Sequence, residues 1–357
     1  MKLDLHRHLE GSHSAAALAA VAVAFDLRDP LFWDEAAKRH RTAAELAPQL
    51  TMTGPTDDAR VFYACIQKAR AAYVSEAAIG DLATRAFVEA AADTDGFEMR
   101  VSLFSMTRTL LEHERCDWRA LSPVAFAERA RLLLLVVVAA RDTAQRQTGK
   151  PMLVRVGFSR TFESEPHYRA LGEMLREHRA AVCGLDVLGI VTGADPFFAL
   201  QAADKEPMPP GLRDILQRLR GDFPDLTIHA GEFEDHRSVE RTLALQPQGI
   251  GHGVHSVQSD DVMARLAADG VTLEVCPHSN HLLIPTALAL LVEQRGVHPL
   301  KALQQADVCC VLGSDDPTPM GTSFSQEWAR AVALGVDVAR LERDSLRRWG
   351  QLTTSTG

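Results

Sequence analysis

The feature that most constrains how this chain can fold is a pair of histidines, His6 and His8, that closes the segment LDLHRH at residues 3–8. In an extended strand, side chains alternate between two faces, so both imidazoles point the same way and can bind one metal ion. Three later apolar segments also run into a histidine or an aspartate, at His229, His252 and Asp315. This repetition matters, because an isolated His-x-His is more often chance than a metal site.

Short apolar runs separated by helical patterns predict eight strands, at residues 3–8, 97–104, 152–159, 182–189, 226–231, 249–254, 271–276 and 308–314. Continuous apolar runs such as residues 308–312 suit a parallel sheet that is covered on both faces. Because strand and helix alternate eight times, the pattern favours an α/β fold, a closed (β/α)8 TIM barrel. The chain of 357 residues is long enough for such a barrel, and we expect one domain spanning residues 1–357.

Three stretches depart from a regular barrel. Residues 10–95 separate the first two strands, which is too long for one helix, so we expect several helices inserted there. A segment with Pro207, Pro209 and Pro210 predicts a loop between strands four and five. The charged stretch from about residue 325 to about residue 350 predicts a helical C-terminal tail.

Charge and composition limit the partners of the chain. The net charge of −9 gives no reason to expect nucleic acid, which usually needs a basic patch. The longest strongly apolar run, residues 132–140, is too short to span a bilayer, and the first residues lack a secretion signal. None of the six cysteines forms a CxxC pair, and their apolar neighbours indicate buried thiols. We therefore expect a cytoplasmic enzyme with a small-molecule partner, without nucleic-acid or membrane partners; the oligomeric state stays open.

The strand ends supply a candidate metal site. In a parallel barrel, catalytic groups lie at the C-terminal ends of the strands, where these histidines and aspartates fall. Three imidazoles and one carboxylate form a zinc set that leaves a position open for water, and zinc lowers the pKa of bound water to about 7. We predict one Zn²⁺ per chain, bound by His6, His8, His229 and Asp315.

Three further residues near these strand ends can carry out the accompanying chemistry. Glu232 and His252 are candidates for proton transfer, and Asp316 remains to orient the substrate. Taken singly, each has a simpler interpretation: a solvated loop charge, a histidine in a turn, or the start of a helix before Pro317. Four separate motifs in order, each at a predicted strand end, are hard to obtain by chance.

Six motifs together resemble the adenosine deaminase family of metal-dependent amidohydrolases. They are HRHLEGS at residues 6–12, HAGE at 229–232, IGHG at 250–253, EVCPHSN at 274–280, HPL at 298–300 and SDDP at 314–317. The resemblance covers nearly the whole chain and is highly specific as a set. The absence of a bridging lysine from predicted strand four argues against the binuclear amidohydrolases.

This resemblance implies hydrolytic removal of the C6 amino group of a 6-aminopurine. Zinc and His252 would activate water for attack on C6, while Glu232 protonates ring N1. Asp315 would bind zinc and contact the hydroxide, and Asp316 would hold the purine near N7. Gly189, at the end of predicted strand four, matches a glycine whose backbone contacts purine N3.

The part of the site that would face the sugar departs from the family pattern. Glu10 stands where nucleoside deaminases commonly have an aspartate that contacts ribose. Glutamate is frequent in branches that resemble adenine deaminases, and in branches acting on adenosines with large 5′ groups, such as aminodeoxyfutalosine of menaquinone biosynthesis. Ile190 and Val191 follow Gly189 where an acidic residue is usual, and Gly249 precedes IGHG where arginine is frequent.

Two arginines bear on this question. Arg108 follows predicted strand two and Arg160 follows predicted strand three, so both could lie at the barrel mouth. Arginine pairs well with carboxylates, and aminodeoxyfutalosine carries one distal from the purine. A solvated loop arginine is the alternative in each case.

Three functions follow from these observations. The first is a zinc-dependent deaminase of adenosine or a 5′-substituted adenosine, and the second is an adenine deaminase, indicated by Glu10. The third is a non-catalytic zinc-binding protein of the same fold. The third is disfavoured because Glu232 and His252, the proton-transfer candidates, are both present.

Overall fold

A computed structural model describes residues 1–160, 164–189 and 208–354. Its strands, in chain order, are β1 (Leu3–His8), β2 (Trp33–Asp34), β3 (Arg39–His40), β4 (Gly96–Val101), β5 (Met152–Ser159), β6 (Gly184–Leu188), β7 (Leu226–Ala230), β8 (Gly249–His252), β9 (Thr272–Val275) and β10 (Cys309–Leu312). All except β2 and β3 pair in parallel as one sheet, in the order β1, β4, β5, β6, β7, β8, β9, β10. The predicted (β/α)8 barrel is therefore confirmed.

The barrel closes between its first and last strands through Asp315. The Asp315 amide donates to the carbonyl of His6 at 2.8 Å, and the His8 amide donates to the carbonyl of Asp315 at 2.8 Å. A parallel bridge pairs Arg7 with Asp315. The backbone contacts that close the barrel therefore bring Asp315 beside the two histidines of β1.

The helices follow the strands and also fill the long insertion after β1. They are α1 (Ala15–Ala24), α2 (Ala43–Leu50), α3 (Ala59–Arg70), α4 (Glu76–Asp93), α5 (Leu103–His113), α6 (Pro123–Thr148), α7 (Glu165–Glu177), α8 (Pro210–Leu219), α9 (His236–Leu243), α10 (Asp260–Asp269), α11 (Pro277–Leu283), α12 (Pro285–Arg295), α13 (Pro299–Gln305), α14 (Pro317–Met320), α15 (Phe324–Ala333) and α16 (Val338–Thr354). Four helices, α1 to α4, form the insertion. Among the described helices, none is both long and apolar enough to span a membrane.

Side-chain caps explain where several inserted helices begin. The side chain of Ser14 accepts a hydrogen bond from the Ala17 amide at the start of α1, and Ser75 does the same at the start of α4. Such caps satisfy backbone N–H groups that have no partner within the helix. The buried face of α4 then packs on the barrel, where the rings of Phe87 and Phe97 lie 5.8 Å apart. The insertion thus shares the apolar core of the barrel.

One strand boundary lies within the expected margin of roughly 2–4 residues, and one proline lies outside its predicted loop. The second strand was expected to reach residue 104, but β4 ends at Val101, because the Ser102 amide leaves the sheet and donates to the side chain of Glu10. Pro210 was expected in a loop, whereas it is the first residue of α8, a position that proline favours because the N–H it lacks would have no helical partner. Pro209 precedes that helix, and Pro207 lies outside the described residues.

A closed ring of buried, charged side chains fills the barrel interior. Its members alternate in sign in the order Arg100, Glu98, Arg155, Asp225, Arg348 and Glu274. Arg100 Nε lies 3.1 Å from Glu98 Oε1, and Arg155 Nη2 lies 2.7 Å from Asp225 Oδ1. Arg348 comes from α16, so the predicted helical tail is confirmed and is also anchored inside the barrel.

Replacing Arg348 by methionine is expected to lower the free energy of unfolding by about 3–5 kcal/mol, because Asp225 would stay buried with one of its cations removed. Chemical denaturation followed by circular dichroism measures the loss. Arg343→Met, at an exposed position of the same helix, is the control and is expected to change stability by less than about 0.5 kcal/mol. Equal losses in the two variants would show that the ring does not stabilise the fold.

The cysteines match the sequence interpretation. All six are free, and all but Cys116 are buried. Cys276 lies beside His6 and Asp315, two of the predicted zinc ligands. Burial raises the pKa of the Cys276 thiol well above its usual value, which opposes a role as a thiolate ligand.

Candidate active site

Three imidazole nitrogens and a carboxylate oxygen converge at the C-terminal end of the barrel. His8 Nε2 lies 3.3 Å from His6 Nε2 and 3.3 Å from His229 Nε2. Asp315 Oδ1 lies 3.5 Å from His6 Nε2 and 3.4 Å from His8 Nε2. Ligands placed tetrahedrally at zinc–nitrogen distances would be separated by about 3.3 Å. These four distances among the predicted ligands match the spacing that one tetrahedral metal ion requires.

Carboxylates behind two of these histidines fix their orientation. Glu274 Oε2 lies 3.1 Å from His6 Nδ1, and Asp186 Oδ1 lies 3.2 Å from His229 Nδ1. A hydrogen bond donated from Nδ1 leaves Nε2 with its lone pair free for a metal. Arg100 joins both carboxylates, with Nη1 at 3.3 Å from Asp186 and Nη2 against Glu274. The charged ring is thus connected to the candidate metal site.

The backbone has unusual conformations where the candidate ligands lie close together. Side-chain atoms of His6 and His229 would lie 2.9 Å and 3.1 Å from a Cβ at Gly251, so only glycine fits between them. His252 and Asp315 have φ angles of 62° and 59°, a left-handed conformation that non-glycine residues seldom adopt. Strain of this kind clusters at functional sites. It is therefore consistent with a site selected for chemistry rather than for stability.

The protonation preferences of the candidate ligands suit a bound cation. Burial lowers the pKa of His229 and lowers the pKa of His8 further. Burial acts to lower the pKa of His6 as well, but its contacts with Asp315 and Glu274 outweigh burial and raise it. Burial opposes ionisation of Asp315, yet the nearby histidines hold its pKa well below the usual value. Neutral imidazoles and an ionised carboxylate are the forms that bind metals, so the directions for His8, His229 and Asp315 favour a bound cation, whereas His6 would have to give up a proton.

Glu232 and His252 lie together beside these ligands. His252 Nε2 is 3.5 Å from Glu232 Oε2 and 4.0 Å from Asp315 Oδ2. The side-chain amide of Asn280 lies 3.2 Å from His252 Nδ1, and its orientation decides which ring nitrogen carries the proton. With the amide oxygen turned to Nδ1–H, Nε2 keeps its lone pair and can act as a base. Burial, reinforced by Asp315, raises the pKa of Glu232, while burial lowers the pKa of His252. A protonated acid next to a neutral base is the arrangement that acid–base catalysis needs.

Asp316 follows directly and faces the same cavity. It precedes α14, so the predicted helix start is also present. A Cβ at position 11 would overlap the Asp316 carboxyl, so Gly11 allows β1 to approach it closely. Burial and the neighbouring charge of Asp315 raise the pKa of Asp316. A neutral carboxyl there can donate a hydrogen bond to a ligand as well as accept one.

A cavity opens above these residues, and part of its wall was not anticipated. The anticipated lining residues are His8, Glu10, Gly189, His229, Glu232, His252, Asp315 and Asp316. Helix α3 adds Phe62, Tyr63, Ile66 and Arg70, and other segments add Ser102, Leu188, Phe233 and Leu283. Nothing in the sequence marked α3 as the helix of the insertion that folds over the mouth. Its apolar residues give the cavity the walls that an aromatic base would need.

The other residues predicted to contact the substrate are Gly189, Arg108 and Arg160, and only Gly189 is among the described residues that line the cavity. Gly189 lines the cavity with a φ of 103°, a conformation that favours glycine, while Ile190 and Val191 lie outside the described residues. Arg160 is buried, and its Nη2 donates to the carbonyls of Val187 at 3.1 Å and His229 at 2.6 Å.

Arg108 lies on α5, with Nε 3.6 Å from Glu112 Oε1. Neither Arg108 nor Arg160 is among the described residues that line the cavity, so their predicted contact with substrate gains no support. Both residues follow their strands as expected.

Sequence comparison identifies the family to which the chain belongs. A family profile described as adenosine deaminase matches residues 1–348. An adenine deaminase of Rhizobium meliloti (strain 1021) is 41% identical over 120 residues, which is 33% of this chain and 35% of the relative. An adenine deaminase of Agrobacterium fabrum is 42% identical over 120 residues, again 33% and 35%. These matches span about a third of the length of the curated relatives.

Solved structures share the fold across nearly the whole chain. An adenine deaminase from Arthrobacter aurescens has a TM-score of 0.73 at 20% identity and covers 99% of this chain and 97% of its own. A zinc-bound amidohydrolase from B. ambifaria has a TM-score of 0.69 at 18% identity, with 99% and 85% covered. An N6-methyl-AMP deaminase from Arabidopsis thaliana has a TM-score of 0.66 at 19% identity, with 96% and 89% covered. Because the family profile matches residues 1–348, the chain belongs to the adenosine deaminase family.

Proposed function

We propose that the chain is a zinc-dependent aminohydrolase that replaces the C6 amino group of a 6-aminopurine with oxygen and releases ammonia. The observation that carries this proposal is the convergence of His6, His8, His229 and Asp315 with an acid and a base at their side. Zinc held by these four residues would polarise water and lower its pKa to about 7. The zinc-bound relative of the same fold supports this choice of metal.

The proton transfers fall to two side chains. His252, neutral in its buried position, accepts a proton from the attacking water. Glu232, protonated, donates its proton to ring N1 of the purine, so that the ring can take up the electron pair displaced as C6 becomes tetrahedral. Asp316 holds the purine at N7. His252 then returns its proton to the amino group, which leaves as ammonia, and the C6 hydroxyl gives its proton back to Glu232 as the C6 carbonyl forms.

Within this reaction, we propose free adenine as the principal substrate. The curated relatives bear the name adenine deaminase, as does the solved structure from A. aurescens. The cavity also disfavours anions: four carboxyl groups line it, at Glu10, Glu232, Asp315 and Asp316. Among the described lining residues, Arg70 is the one arginine or lysine. A phosphorylated nucleoside, the type of substrate named for the A. thaliana relative, would meet this acidic wall.

A second candidate is adenosine or a 5′-substituted adenosine. It is favoured by Glu10, whose carboxylate could accept a hydrogen bond from a ribose hydroxyl at the position where nucleoside deaminases have aspartate. The distal carboxylate of aminodeoxyfutalosine would need a cation, and Arg70 is already 3.8 Å from Glu10. Adenosine is therefore the stronger member of this second class.

An absorbance assay of the zinc-loaded protein separates these substrates. We expect adenine to be converted to hypoxanthine with kcat/KM at least about 100-fold above that of adenosine, AMP or aminodeoxyfutalosine. The reason is that a site that hydrogen-bonds the ring N–H of the free base rejects analogues that lack this N–H. Faster turnover of adenosine would assign the chain to nucleosides. If none of these compounds releases ammonia, the proposed reaction is wrong.

A further inference from the structure

The Glu232 side chain reaches the cavity from a short loop that follows β7. Its carboxyl lies 3.5 Å from His252 Nε2, and no residue within 1–160, 164–189 and 208–354 donates a hydrogen bond to it. Because no hydrogen bond fixes the carboxyl itself, its position depends on the backbone that carries it. The peptide unit before Glu232 is therefore the part of the loop that has to be held in place.

Gly231, which precedes Glu232, has both of its backbone polar groups bound. Its amide donates to Ser238 Oγ at 2.8 Å. Its carbonyl accepts from the His255 amide at 3.1 Å and lies 3.2 Å from His255 Nδ1. A carbonyl only accepts hydrogen bonds, so Nδ1 carries the hydrogen in this contact. Ser238 and His255 are buried, so water competes little for these bonds.

The backbone of Gly231 needs this support. Its φ of 64° lies in the left-handed region, which glycine enters readily but does not hold by itself. A Cβ at this position would lie 2.5 Å from Val239 Cγ2, so the glycine packs directly against α9. Ser238 belongs to α9, and His255 belongs to the turn Val254–Gln258 after β8. Two separate elements thus fix the direction in which the chain enters Glu232.

Neither supporting side chain can contact the purine directly. Ser238 and His255 are absent from the described residues that line the cavity. The Ser238 hydroxyl points its own hydrogen toward Glu234 Oε2 at 3.5 Å, which leaves an oxygen lone pair for the Gly231 amide. An effect of either residue on the reaction would therefore pass through the loop that it holds.

We propose that His255 and Ser238 are positioning residues for Glu232, holding the Gly231 peptide so that the acid reaches ring N1 of the purine. This inference rests on the deaminase function proposed above and deepens it. A general acid has to lie within hydrogen-bond reach of the atom that it protonates. A displacement of about 1 Å in a reacting group can cost about 10²-fold in rate, so a small shift of the Gly231 peptide is enough to be measured.

His255→Leu removes the ring donor and keeps the backbone amide. We expect kcat to fall about 10-fold or more, because the Glu232 carboxyl is no longer held at N1. KM and bound zinc are expected to stay within a factor of about 3, since neither the purine nor the metal contacts His255. The purine that the wild-type protein converts fastest is the substrate. His255→Asn, whose side-chain amide nitrogen can take the place of Nδ1, is expected to restore most of the lost kcat.

Ser238→Ala is the second variant, and it leaves the Gly231 amide without its acceptor. We expect the same pattern, a loss in kcat of about 10-fold with KM and bound zinc nearly unchanged. Ser256→Ala is its matched control, because the Ser256 hydroxyl is equally buried and has no hydrogen-bond partner among the described residues. His236→Leu is the control for His255→Leu, since His236 contacts Gln258 at the start of α9. The melting temperature is measured for every variant.

Combining His255→Leu with Glu232→Gln distinguishes positioning from general support of the fold. Glutamine has no proton to deliver, so its exact position no longer limits the reaction in this way. We therefore expect His255→Leu to lower kcat by less than about 2-fold further in the Glu232→Gln protein, a strongly non-additive result. A residue that supported only the fold, the metal site or His252 would lower kcat by the same factor in both proteins.

The outcomes separate this inference from the proposed function. If the wild-type protein releases no ammonia from any purine, the proposed deamination is wrong and the positioning role falls with it. If the wild-type protein is active, three results overturn the positioning role and leave deamination standing. These are unchanged kcat in both His255→Leu and Ser238→Ala, equal losses with and without Glu232→Gln, and a loss that follows bound zinc.

Discussion

Glu232→Gln is expected to bind zinc as the wild-type protein does and to lose about 10²–10⁴-fold in kcat, the range that a positioned general acid contributes. Glutamine keeps the shape of the side chain but has no proton of suitable acidity for purine N1. Without that proton the ring cannot take up charge as C6 becomes tetrahedral. Steady-state kinetics with adenine, together with zinc analysis of the same sample, measures both quantities.

Glu240→Gln is the matched control for this variant. It makes the same chemical change at an exposed residue of α9 that does not line the cavity. We expect its kcat to stay within a factor of about 3 of the wild-type value, as for surface substitutions away from a site. Near-normal turnover in Glu232→Gln would refute the role of Glu232 as the proton donor.

His229→Gln is expected to abolish deamination at stoichiometric zinc, because one of the four converging ligand atoms is removed. Loss of an outer hydrogen-bonding partner costs roughly 10–100-fold in metal affinity, and loss of a ligand itself should cost more. The change also leaves the buried Asp186 carboxylate without its imidazole partner. Chelator competition gives the zinc affinity, and the same samples are assayed with adenine.

His236→Gln serves as the control, since His236 begins α9 and contacts Gln258 rather than the cavity. It should bind zinc with wild-type affinity. If His229→Gln kept both one tightly bound zinc and full turnover, the ligand set would be wrong.

The barrel and the proximity of the predicted ligands could be predicted, because each depends on local signals. Residues 3–8, 152–159 and 226–231 were predicted as strands, and the structure has β1 at Leu3–His8, β5 at Met152–Ser159 and β7 at Leu226–Ala230. The alternation of side chains along β1 places His6 and His8 on one face. A parallel barrel then has a single C-terminal mouth at which strand-end residues must meet.

The support behind the ligands could not be predicted, since it depends on pairings between distant strands. Asp186 and Glu274 stand within apolar runs, and a charge in such a run was the one available signal that a partner must exist. That signal does not say which partner. Only the closed sheet shows that Arg100 joins both carboxylates and that Arg348 reaches the same ring from the C-terminal helix.

Arg70, the arginine that lines the cavity, could not be predicted for a similar reason. Arg108 and Arg160 were favoured because they follow strands, and a strand end specifies position but not side-chain direction. Arg70 lies on an inserted helix, α3, whose packing over the mouth is set by contacts with Met320 and Leu283 rather than by strand order. The rule that active-site residues lie at the C-terminal ends of the strands does not apply to helices inserted between strands.

Zinc titration of metal-free protein, with adenine deamination and bound zinc measured in each sample, tests most directly whether one metal ion at His6, His8, His229 and Asp315 supports the reaction. We expect no activity without metal, a linear rise on addition of zinc, and a plateau at one zinc per chain. Full activity in the metal-free protein, or a plateau reached only at two zinc ions per chain, would contradict this.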